Sequence, residues 1–437
     1  MAVYEDREAF IPYRKADVIE LCLQDGKLND GEKQEFRELT EILSAFYHFE
    51  CHEQLERLKD NYAPFNPDSD TKTLVELTPE QLKGKEVALT GALEEVLQKA
   101  NYTKLSDEAL AKAMDEESLI TLQMDVDFDD FETMVFYHRG SREETVKVKK
   151  LFKEVDFTMD IYERVVLLIK FKDEEYFKQQ GRKINKLNFT PGKMYVYMYK
   201  NIPQADIELL FPNVEISMNL KDKLMLGIPA AGGAVAMLIK ILPSLLIIAG
   251  IIFAVLGIKS TLFPAVSATD KNTIIVALTG LAIMGGFIFK QFVKYKNKRI
   301  AFLKDVSDTL FFKNLDSNAG VFNALIDAAE EEECKEVYLA YYHLLTHQGD
   351  LDQEQLDDLI ETWMETQFDT KIDFDVEKAL EKLENMKGKI VDGQDEDLVP
   401  ETPLLTRAAG GTLAVANLDD AKTIVDYVWD NFFDYNS

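Results

Sequence analysis

The chain has 437 residues, 46% of them apolar, with 27 Phe and 17 Tyr and a formal net charge of −29. That size and aromatic content support two or three packed cores and exclude a disordered tether. The acidic balance argues against nucleic acid as a partner. Three cysteines (Cys22, Cys51, Cys334) without paired spacing argue against a disulfide framework and suit a reducing compartment.

Residues 1–120 read as a helical region. Ala16–Cys22 and Glu32–Leu58 repeat apolar side chains every three or four positions. Pro64 and Pro67 stop that pattern, and Thr78-Pro79-Glu80-Gln81 restarts it with an N-cap signal. Ser106-Asp107-Glu108 gives a second such signal. Residues 121–225 change texture. Met134–His138, Val146–Phe152, Tyr162–Phe171 and Val214–Met218 read as strands, with a turn at Arg139–Arg142. Lys193–Lys200 alternates strictly. An α+β domain on an antiparallel sheet is expected here, with a short helix at Ile207–Phe211.

Residues 226–299 are apolar and basic. Two uncharged runs of 18 residues, 241–258 and 272–289, would each span roughly 27 Å as a helix, near the thickness of a bilayer's hydrocarbon core. They predict a two-helix transmembrane hairpin with the lipid bilayer as partner. Lys290, Lys294, Lys296, Lys298 and Arg299 follow the second run, which places both chain ends in the cytoplasm. Gly250/Ala254 and Ala282/Gly286 are small-x-x-x-small pairs through which the helices, or copies forming a homo-oligomer, would pack. Neither run contains a charge, so an anchor is a better reading than an ion pathway. The N-terminus has neither a basic n-region before an apolar run nor the composition of a transit peptide.

Residues 300–437 carry most of the negative charge. From 314 onward there are 8 Lys/Arg against 30 Asp/Glu, whereas 221–313 holds 12 against 4. Helices at Val337–His347, Gln353–Phe368 and Asp373–Met386, then a two-stranded turn from Lys389–Val391 and Leu398-Val399, give a winged-helix-like order. A last helix follows at Leu418–Phe433.

Few residues are grouped for chemistry. His48, Cys51 and His52 share one helical face and could bind Zn, although packing explains them more simply. His343 and His347 repeat the i, i+4 spacing near Cys334. The acidic run Asp125, Asp127, Asp129, Asp130 lacks the Gly and Glu of a calcium loop and reads as a solvated turn. Glu330–Glu333 reads as an exposed helix start. No phosphate-binding loop or G-x-S-x-G elbow occurs, so nucleotide-hydrolase and serine-hydrolase chemistry lose their usual support.

Several stretches resemble a family of uncharacterised membrane proteins that includes the animal mitochondrial transmembrane protein 143 and cyanobacterial and plant relatives sharing a domain of unknown function. They are E-A-F-I-P-Y-R-K-A-D (8–17), Y-A-P-F-N-P-D (62–68), Y-K-N-I-P-Q-A-D-I-E-L-L-F-P (199–212), A-Y-Y-H-L-L (340–345), D-F-D-V-E-K-A-L-E-K-L (373–383) and W-D-N-F-F (429–433). The resemblance implies a two-span integral membrane protein and carries no catalytic residue. The expectation is therefore an integral protein of a bacterial inner or thylakoid membrane, its soluble parts on the cytoplasmic side, acting as a scaffold for a protein partner. Alternatives are an oligomeric hairpin channel and a metal-dependent enzyme using His48, Cys51 and His52.

Overall fold

The computed structural model describes residues 7–71, 74, 76–106, 110, 122–150, 153–218, 246, 271–391, 399–408 and 410–433. The chain forms two compact units. The first comprises residues 1–112, 128–204 and 314–437, and the second comprises 113–127 and 205–313. Neither unit is continuous in sequence.

In the first unit, α1 (Lys15–Gln24), α2 (Asp30–Tyr62) and α3 (Pro79–Lys99) follow the apolar periodicity. Their starts are fixed chemically. Asn29 and Glu32 form a capping box on α2, and Thr78 and Gln81 form one on α3. Each satisfies backbone N–H groups that a helix start leaves unpaired.

The sheet is five-stranded and antiparallel, in the order β1-β3-β4-β5-β7. β1 is Thr103–Lys104, and β2 (Leu122–Asp125) belongs to the other unit. β3 runs over Phe131–Lys150, β4 over Lys153–Phe171 and β5 over Met194–Pro203, with helix α4 (Glu174–Gln179) between the last two. The expected turn at Arg139–Arg142 is absent, because β3 passes straight through it. Gly140 takes φ +74 there, and a Cβ would lie 2.8 Å from the Glu163 side chain on β4. The glycine allows a local change of strand direction without ending the strand.

β7 (Asn314–Ser317) closes the sheet edge against β5 and leads into α6 (Ala319–Thr346). This helix is the axis of the unit. Val321, Phe322, Leu325, Ile326 and Ala329 pack into one apolar cluster with α3 and the sheet residues Val135, Val166 and Val196. Cys334 and the residues from Val337 to Tyr342 pack into a second with α1, α2 and the C-terminal helices. A helix buried all round is what such a position requires.

The C-terminal elements are α7 (Gln353–Phe368), α8 (Val376–Asn385) and α9 (Leu418–Asp430), with β8 (Lys387–Gly388) paired to β9 (Thr402–Pro403) and β10 (Leu405–Arg407) paired to β11 (Leu413–Val415). The ribbon uses Lys387–Gly388 and Thr402–Pro403 in place of the expected Lys389–Val391 and Leu398-Val399. Residue 398 lies outside the described residues. Gly388 sits against the α9 backbone, and a Cβ there would be 2.5 Å from the Ile424 carbonyl oxygen. That close approach draws the ribbon two residues earlier than the apolar pattern suggests.

In the second unit, β2 pairs antiparallel with β6 (Glu215–Met218). Helix α5 spans Lys271–Lys313. The transmembrane hairpin is not borne out: among the described residues, no helix is long and apolar enough to cross a membrane. The second apolar run is not a separate span but the first part of a 43-residue helix that continues through Lys290, Lys294, Lys296, Lys298, Arg299 and Lys304. The run 241–258, with Gly250 and Ala254, lies outside the described residues except for Leu246.

Candidate functional site

Two features concentrate the charged and apolar chemistry, one in each unit. In the first unit it is the middle of α6. Glu330, Glu332, Glu333, Lys335 and Glu336 are all buried there, at the junction of the two apolar clusters. The expectation of an exposed helix start at Glu330–Glu333 is therefore corrected. The helix begins at Ala319, so these residues fall in its fourth turn.

The carboxylates are shared among partners from several elements. Glu330 pairs with Lys15 and accepts a 2.8 Å hydrogen bond from His48 Nδ1. Burial works to raise its pKa, but these two partners hold the carboxyl below its ordinary value. Glu331 accepts from the backbone N–H of Lys15 at 2.8 Å. Glu332 lies 2.7 Å from Lys335 Nζ, and that ammonium also donates to the Ile11 carbonyl at 2.6 Å. Glu333 meets Lys99 and Lys382, both at 3.5 Å, and Glu336 meets Lys382 at 2.8 Å.

Burial pushes the Glu332 carboxyl up and the Lys335 ammonium down. The N-terminal segment (Ile11, Lys15), α2, α3 and α8 are thus tied to one helix by charge-assisted hydrogen bonds. A cleft of about 560 Å³ opens beside this network, lined by Phe10, Arg14, Lys15, His48, Arg139 and Lys335 among others. With its acids committed to internal partners, the network is suited to fixing element positions. Its thiol is not activated: Cys51 is buried with Sγ 3.9 Å from Glu333, and burial raises its pKa further above neutral.

The residues grouped by sequence fare unevenly. His48 is exposed and turned to Glu330, Cys51 is buried, and His52 is exposed, so the three do not converge. Among the described residues no three His, Cys, Asp or Glu are placed to hold a metal ion. His343 is buried against Trp363 and Tyr342, whereas His347 is exposed. Asp127 and Asp129 are exposed, as a solvated turn requires, but Asp130 is buried with both carboxylate oxygens 2.7 Å from Arg182 Nη1. The α6 network was missed because four consecutive glutamates have no helical period. The one available signal was their position inside a longer apolar i, i+3, i+4 pattern.

In the second unit the feature is α5. Ile275, Leu278, Ile283, Phe289 and Phe292 are each 54–68% exposed. At about 100° per residue, these and the exposed Ala282 and Gly286 fall on one side of the helix. A Cβ on Gly286 would meet nothing within 4 Å. Over this side from Ile275 to Phe289, roughly 22 Å, the exposed residues carry no charge, and the Thr279 hydroxyl donates to the Ile275 carbonyl. Beyond it, the exposed Lys290, Lys294, Lys296 and Lys304 share the same side with Phe292 and Ile300. The side chains of Lys298 and Arg299 lie outside the described residues.

These features define an α+β protein with a fully committed internal charge network and a long helix exposing an apolar-then-basic side. Residues 162–320 match a family described only as a protein of unknown function, DUF3754. The matched region runs from β4 through α5 to the first turn of α6. No solved structure matches the chain.

Proposed function

We propose that this protein is an interaction protein attached to a lipid surface by the exposed side of α5, holding its acidic folded body for a protein partner. The observation that carries the reading is the apolar stretch from Ile275 to Phe289 followed by lysines on the same side of one helix. Apolar side chains enter the headgroup boundary of a bilayer, and each nearby lysine adds about 1 kcal/mol at an anionic surface. Kinship with the family suggested by the sequence motifs is part of this proposal, supported by the match over residues 162–320. The crossing topology which that kinship implies is not part of it. The metal-dependent enzyme is the alternative reading, and among the described residues His48, Cys51 and His52 are not placed to hold a metal ion together.

The test is flotation of the full chain with vesicles of phosphatidylcholine alone or mixed with phosphatidylglycerol. Wild type should float with both, more strongly with the anionic mixture, and that increment should fall with salt. The double substitution Leu278→Glu with Phe289→Glu should reduce flotation at unchanged thermal stability. If it leaves flotation unchanged, or instead dissociates a homo-oligomer, α5 is not a lipid contact.

A further inference from the structure

The sheet of the first unit carries a row of positive charge that takes no part in the α6 network. The strand register places Arg139 on β3 opposite Arg164 on β4, and Arg164 opposite Lys200 on β5. The preceding row of the same face is Tyr137, Val166 and Met198, which are buried in the apolar cluster against α3 and α6. Three cations thus lie side by side where that apolar face ends. Like charges directly opposite each other across strands repel, and partial burial strengthens the repulsion.

None of the three has a carboxylate within ion-pair distance among the described residues. Arg139 donates to the Ala100 carbonyl at 3.1 Å and stacks on Phe10 and Tyr102, with ring centroids at 4.1 and 4.8 Å. Arg164 donates only to the carbonyl of Glu163, at 2.9 Å. Two acids that feel the charge of Arg139 are engaged elsewhere: Glu8 accepts from the Ser141 N–H at 2.7 Å, and Glu332 is held by Lys335.

A second observation points to the same place. Tyr102 is 4% exposed, and its hydroxyl has no hydrogen-bond partner. Leaving a buried hydroxyl unsatisfied costs about 1–3 kcal/mol. Burial raises the Tyr102 pKa, and the charges of Arg139 and Arg164 both oppose that rise, so the phenol lies within their field. Two guanidiniums, an ammonium and a phenol are all hydrogen-bond donors, and guanidinium geometry matches the paired oxygens of a phosphate.

We propose that Arg139, Arg164, Lys200 and the Tyr102 hydroxyl bind a phosphate group, presented by a phosphorylated small molecule or by a lipid headgroup. The anion removes the repulsion within the row and supplies the acceptor that Tyr102 lacks.

The test is thermal unfolding of the full chain in inorganic phosphate or pyrophosphate, against NaCl at equal ionic strength. Wild type should show a saturable rise in Tm beyond the NaCl control. Arg164→Gln should weaken apparent affinity about tenfold or more, in keeping with loss of a charge-assisted bidentate contact. Tyr102→Phe should weaken it less. Without ligand, Arg164→Gln should be as stable as wild type or more so, because it removes repulsion. A Tm that follows ionic strength alone overturns the proposal. So does a phosphate shift retained in Arg139→Gln with Arg164→Gln, or an unliganded Arg164→Gln that is much less stable than wild type. Sedimentation with phosphatidic acid vesicles separates the two sources. Binding that needs Arg164 and is displaced by pyrophosphate assigns a headgroup, and a saturable Tm rise without such binding assigns a soluble phosphorylated molecule.

Discussion

Replacing Lys335 by Met tests whether the charges in the middle of α6 hold the first unit together. The two side chains of the Glu332–Lys335 pair are 1% and 2% exposed, and the ion pair is 2.7 Å long. Methionine keeps the length of the lysine stem but leaves the Glu332 carboxylate buried, with only the Ile11 N–H at 3.2 Å and Asn101 Nδ2 at 3.4 Å as hydrogen-bond partners. Stranding one member of a buried pair costs about 3–5 kcal/mol, a large share of the stability of an ordinary domain. Adding Glu332→Gln removes the stranded charge, so the double variant should be more stable than Lys335→Met alone. Urea unfolding of wild type, both single variants and the double variant gives the coupling energy. The pH dependence provides a second check. Burial raises the folded-state pKa of Glu332, and loss of Lys335 raises it further. A carboxyl raised in the folded state favours folding below its unfolded pKa and loses that contribution as pH rises through the folded value. The cost of Lys335→Met should therefore be least near pH 4 and greatest near pH 8. A cost below about 1 kcal/mol, or a double variant whose cost equals the sum of the singles, would refute the reasoning.

Burial pushes the His343 pKa down to about 3, and neither ring nitrogen has a hydrogen-bond partner. The unfolded chain takes up a proton near the ordinary histidine value of about 6.5. Stability should thus fall by about 1.4 kcal/mol per pH unit from that value toward pH 3. His343→Phe should flatten this dependence in acid unfolding curves and leave stability at pH 8 equal or higher. Gly140→Ala should destabilise by about 1–3 kcal/mol in thermal or urea unfolding, because it combines positive φ with a 2.8 Å contact to Glu163. Glu163→Ala should recover only the part due to the Cγ and Oε2 contacts, because its Cβ, also 2.8 Å away, remains.

Local chemistry was enough to determine much of this protein. Apolar spacing of three and four marked α1, α2 and α3, and the Thr78 cap marked the start of α3. Strict alternation marked β5. These elements are legible because their periods reflect backbone geometry that neighbours do not alter. Three features were decided only by the tertiary structure. The Arg139–Arg142 stretch has turn composition, yet β3 continues because β4 supplies a partner along its whole length. Glu330–Glu333 has the composition of a solvated face, yet it is buried because Lys15, Lys99 and Lys382 arrive from distant positions and, with Lys335 of the same helix, neutralise it. Arg139, Arg164 and Lys200 are far apart in the chain and become one row only through strand register. The 272–289 run shows the limit from the other side. Its hydropathy is local, but its edges do not decide where the helix stops, because the helix continues through the lysines to Lys313. Period and capping belong to the sequence alone, whereas burial of charge and the adjacency of distant residues depend on which elements meet.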